Sequence, residues 1–165
     1  MRNLSGMQAV VYGGLLVGVL DAIDAVVFFG LRGATPVRVF QGIAAGLLGR
    51  ASVQGGLRTA LLGLAIHFFI AFSIVATYYL ASRSLPVLVR RPVLCGALYG
   101  VFVYFFMNRI VIPLSAIGVS TFSLAVFVNG IAIHILGIGM PAALLVARAP
   151  APLSPAAGAA SHVRS

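Results

Sequence analysis

Four long apolar runs organise the chain, each cut off by arginine, glycine or proline. They cover about residues 7–31, 59–82, 92–112 and 122–147. About 20 apolar residues at 1.5 Å rise cross the hydrocarbon core of a bilayer. Each run reaches that length. Inside lipid the backbone must hydrogen-bond within itself, so each run is expected to be a transmembrane helix. Arg32 and Gly33 end the first. Arg58 precedes the second, and Arg83 and Pro86 close it. Pro113 is expected to stop the third, and Arg148 and Pro150 follow the fourth.

The connections differ. Between the first two runs, Thr35-Pro36 reads as an N-cap followed by proline at the first helical position. Phe40, Ile43, Ala44, Leu47 and Leu48 then recur at helical spacing, with Arg38 and Gln41 on the other side, and Gly49 can end the helix. This amphipathic helix, about 36–49, is too short to span. Lying flat in the interface is the favoured reading, and a re-entrant piece against the bundle is the alternative. The second connection, Arg83 to Arg91, is short and carries three arginines, while the third, Pro113 to Thr121, carries none. From 149 to 165 the chain is Pro, Ala and Ser without periodicity, and is expected to be disordered. The apolar part is thus one transmembrane domain, 1–148, and the fold class is all-α integral membrane.

Composition agrees. Hydrophobic residues make up 61% of the chain and charged ones 8%, far from a soluble domain of this size. All eleven basic residues are arginines. They lie almost entirely between the runs, which points to topology and contact with an anionic lipid bilayer rather than to nucleic acid. Four spans put both termini on one side. That side holds Arg2, Arg83, Arg90, Arg91, Arg148 and Arg164, against Arg32, Arg38, Arg50 and Arg58 on the other, which favours cytoplasmic termini. A first run this long, continuing past Asp21 and Asp24, reads as an uncleaved span rather than a signal peptide.

The halves echo each other. Gly14-Leu15-Leu16-Val17-Gly18 in the first run resembles Gly96-Ala97-Leu98-Tyr99-Gly100 in the third, and Gly63 to His67 resembles Gly130 to His134. A duplicated helical hairpin is expected, with glycine pairs allowing close helix approach.

The candidate chemistry is polar and intramembrane. Asp21 and Asp24 are the only acidic residues, and both lie in the first apolar run. A charged group at mid-bilayer costs about 3 kcal/mol on insertion scales, so it turns inward and finds partners. By helical rise, Asp21, Asp24, His67, Asn108, Arg109, Asn129 and His134 all fall in the half of the bilayer away from the termini. The expectation is that Arg109 neutralises one aspartate and that His67 or His134 hydrogen-bonds the other. Asp with His is what a proton relay needs near neutral pH. The opposed reading is that polar residues only lock helix pairing. No HxxxH-type pair marks a metal, and Cys95, the only cysteine, excludes an intrachain disulfide. With no nucleophile apparent, no enzyme and no cofactor are expected. Gly137, Gly139 and Pro141 are expected to kink the fourth span.

At His67, Pro113-Leu114 and the run Gly130 to His134, the chain resembles the YagU-type bacterial inner-membrane proteins. They share a Gly-rich first span, a His early in the second, Pro-Leu after the third and a Gly/His-bearing last span. His67, Pro113, Leu114 and His134 carry over by position. The resemblance implies a multi-pass inner-membrane protein with an association to acid tolerance. Asp21 and Asp24 have no counterpart in it. The expectation is a proton or small polar solute handled by the polar cluster, or else a membrane scaffold; a homo-oligomer stays open.

Overall fold

The structure, a computed structural model, describes residues 4–118 and 122–149. The expected disorder of the tail beyond 149 concerns residues outside that range. The described chain is all helical. Helix α1 is Gly6–Gly30, α2 is Pro36–Leu48, and a 3-10 stretch Gly49–Gly55 leads into α3, Gly56–Ser84. A short α4, Val87–Arg90, fills the connection to α5, Pro92–Leu114. The last helix, α6, is Leu124–Val146. Four stretches are long and apolar enough to cross a membrane, so the protein is membrane-embedded.

The helix starts are chemical. Ser5 Oγ accepts the Gln8 amide, and Gln8 Oε1 accepts the Ser5 amide, a reciprocal cap of two otherwise unpaired donors. Thr35 Oγ1 accepts the Arg38 amide, with Pro36 next to it as expected. At the far end of α1, Arg32 folds back, donating to the Phe28 carbonyl and lying 3.6 Å above the Phe28 ring.

Both prolines expected to interrupt a span lie beside π turns. Helix α5 ends at Leu114, one residue past Pro113. Immediately before it, Met107–Val111 widens into a π turn. Proline has no N–H to give the carbonyl four residues back, and the wider turn re-pairs the neighbouring carbonyls, so the helix survives. In α6, where a kink was expected, His134–Gly139 is likewise a π turn, followed by Pro141. Both spans therefore carry a π turn ending two residues before a proline.

The helices pack tightly at the end near the chain termini and open at the other. Val17, Ala71, Val75, Tyr78, Ile138, Ala142, Ala143 and Val146 form one core there. Gly13 lies against Val75, and Gly14 and Gly18 lie under the rings of Phe72 and Phe68. Gly96 and Gly139 face each other backbone to backbone, and Gly100 abuts the His134 carbonyl. These are the glycine pairs of the internal echo, and they let α1 meet α3 and α5 meet α6 closely. No residue of α1 beyond Gly18 is buried, nor any of α6 before Gly137. Only α3 stays buried along its length, at Ala60, Gly63, His67, Ala71, Val75, Tyr78 and Ser82, a three-and-four spacing that defines one face.

Helix α2 closes on α3 at Gly63, where any side chain would strike the Phe40 carbonyl. Gly63 is about 10 Å into α3 at helical rise. Gln41 is buried and donates to the Gly56 carbonyl at 2.9 Å. Thr59 Oγ1 in turn donates to the Ser52 carbonyl at 2.6 Å. Gln41 thus ties α2 to the start of α3 rather than serving a ligand.

Candidate intramembrane polar site

At the open end α1 presents Asp21 and Asp24 one turn apart on one side of the helix. The glycines below them draw α3 close, and this delivers His67. His67 is buried, and its Nε2 lies 2.8 Å from the Gly18 carbonyl oxygen. A carbonyl only accepts, so Nε2 carries the proton and donates. Nδ1 then faces Asp21 Oδ2 at 3.8 Å. That gap is longer than a direct hydrogen bond and suits a bridging water or a small rotation. Phe68 and Phe40 stand edge-on to the imidazole at 5.5 and 6.3 Å and hold its plane.

Asp24 takes its partner from α6. Asn129 Nδ2 donates to Asp24 Oδ2 at 2.7 Å, a charge-assisted bond across the bundle. His134 lies one turn and a residue further along α6. Its Nδ1 donates to the Gly130 carbonyl at 2.8 Å, which leaves Nε2 as the acceptor. Tyr104 packs edge-on against this ring at 5.3 Å.

The structure therefore pairs Asp21 with His67 and Asp24 with Asn129, while the His134 ring is held on its own helix against Tyr104. It does not bring in Arg109 or Asn108. Arg109 is exposed in the π turn of α5 and forms no ion pair with either aspartate, contrary to the expected neutralisation. Asn108 Nδ2 is spent on the Tyr104 carbonyl of its own helix. The reason is rotational: Arg109 and Asn108 match the cluster in depth, but α5 turns them elsewhere. Arg38 is exposed, and Gln41 is structural as described. Among the described residues no group of three or more His, Cys, Asp or Glu could hold a metal ion.

One polar residue had no sequence signal. Ser52 is fully buried in the 3-10 stretch, and its hydroxyl lacks a hydrogen-bond partner among the described residues. The chain matches no family model, no curated protein and no solved structure in comparison with each of these sets.

Proposed function

We infer that this membrane protein moves protons, or a small polar solute, through the open end of its bundle. The carrying observation is Asp21 beside His67, a histidine whose other ring nitrogen is already committed. His67 is pinned by Gly18 through Nε2, so Nδ1 is the nitrogen turned towards Asp21. The Nε2 of His67 is committed to a carbonyl and offers no onward path. His134 is poised the other way, with Nδ1 on the Gly130 carbonyl and Nε2 left as the acceptor, and is the onward acceptor in this scheme. Asp21 and Asp24 are the carriers in this scheme, and His67 holds rather than passes. The resemblance to YagU-type proteins and the arginine asymmetry support a bacterial inner membrane with cytoplasmic termini.

The test is proton flux in liposomes read with an internal pH dye, beside thermal stability in detergent. Asp21→Asn is expected to fold and to abolish flux, because an amide cannot carry the proton.

A second reading has its own observation. The Asn129 to Asp24 bond is a cross-bundle tie where little else joins α6 to α1, which suits a scaffold whose polar groups set helix pairing. Absence of wild-type flux at every pH, with folding weakened in Asp24→Asn, selects that reading.

A further inference from the structure

We propose that a two-part hollow beside α2 binds one anionic phospholipid, independently of the proton reading. The larger part is an apolar groove of about 700 Å³. Its walls include Val39 and Ile43 of α2, Ile66 and Ile70 of α3, and Val111 and Ile112 of α5. The smaller part, about 390 Å³, places Arg38 and Arg50 beside Ala45, Val53 and Ala116, with Ser52 at its border. The two share Arg38, Gly42 and Ile117 and so form one amphipathic site. The chain after α5 is tied to α2 by the Ala116 amide donating to the Gly46 carbonyl at 2.9 Å, which fixes the far wall.

Charge identifies the occupant. Arg38 and Arg50 are exposed at the smaller part. The chain has eleven arginines and only two acidic side chains, and both of those are engaged inside the bundle. No carboxylate of the described chain pairs with Arg38 or Arg50, which leaves both free to meet an anion from outside it. Ser52 borders the same hollow, with its hydroxyl buried behind the wall. A phosphate meets two guanidiniums well. The apolar groove joined to it takes an acyl chain. An anionic phospholipid carries both parts on one molecule.

Gly42 gives a clean handle, because a Cβ added there meets nothing within 4 Å although the residue borders both parts. The experiment reconstitutes the full chain in vesicles of equal phosphatidylglycerol and phosphatidylcholine with matched acyl chains. The protein is then extracted gently, and retained lipid is read by native mass spectrometry. The expected result is one phosphatidylglycerol per chain. Arg38→Gln with Arg50→Gln should lower the preference roughly 25-fold, about fivefold for each arginine. Gly42→Leu should eject both lipids without changing the melting temperature. Equal retention of the two lipids overturns the proposal, as does retention unchanged in the variants. Displacement of the lipid by inorganic phosphate alone would reduce it to a phosphate site and likewise overturn it. Lipid-free dimers that Gly42→Leu dissociates would overturn it in favour of a second copy.

Discussion

The end of the bundle near the termini and the end away from them are built from the same four helices on different principles. At the first, glycines bring backbones together and small residues fill the gap: Gly96 on Gly139, Gly100 on the His134 carbonyl, Ala142 and Ala143 fully buried. Polar groups there are few and neutral, and they pair with backbone carbonyls of neighbouring helices: Tyr99 donates to the Ile74 carbonyl at 2.8 Å, and Tyr78 to the Leu88 carbonyl. At the second, no residue of α6 before Gly137 is buried, and the ties are Asp24 with Asn129 and His67 with Gly18. Between membrane helices lipid removes the hydrophobic reward for association, so close packing carries stability. The lesson is a division of labour. Packing holds the closed end, and the freed end keeps ionisable groups that the closed end could not accommodate.

Substitutions can break this contrast. The largest effect is expected at Gly139→Val, whose side chain would run into the Gly96 carbonyl and the Gly100 backbone, both immobile. Overpacking against backbone there should cost about 3 kcal/mol or more, seen as lost folded protein or a large drop in melting temperature. Next is Val75→Ala, a fully buried side chain in the closed core. Its cavity should cost about 2 kcal/mol, measured by reversible unfolding in mixed micelles. The smallest is Asn129→Leu at the open end. Loss of the bond to Asp24 should cost only about 0.6 kcal/mol, in line with other hydrogen bonds between membrane helices. If Asn129→Leu proved as damaging as Gly139→Val, the two ends would not differ in kind.

Much of the fold could be read from residue order. The span limits follow Arg, Gly and Pro, and Thr35-Pro36 marks the start of α2 because capping is local chemistry. The glycine pairs of the two hairpins meet their neighbours as their spacing suggests. Even so, the hairpins diverge at the histidines. His67 reaches across to Gly18, whereas Gly100, the matching glycine, is met by the backbone of His134, whose ring turns back to Gly130. That difference was hidden because the π turn at His134–Gly139 depends on Pro141 and on packing, not on periodicity. The failed assignment of Arg109 has a related cause. A membrane helix is apolar on the lipid side as well as the protein side, so depth can be counted from the sequence but rotation cannot. Ser52 was silent because its burial comes from the fold of α2 onto α3, a contact between distant residues.

The wide turn in α6 has a geometric corollary. An α-helix advances about 100° per residue, so a turn that takes up one additional residue re-phases everything on its far side by about that angle. Residues 124–133 are therefore indexed against α1 through this spacer. With a regular helix in its place, and the packed segment Met140–Val146 kept where it is, Asn129 would point about 100° away from its present azimuth. The wide turn thus works as a gauge block: the seam between Gly96 and Gly139 sets the datum, and the spacer decides which side chain of α6 is dialled towards Asp24.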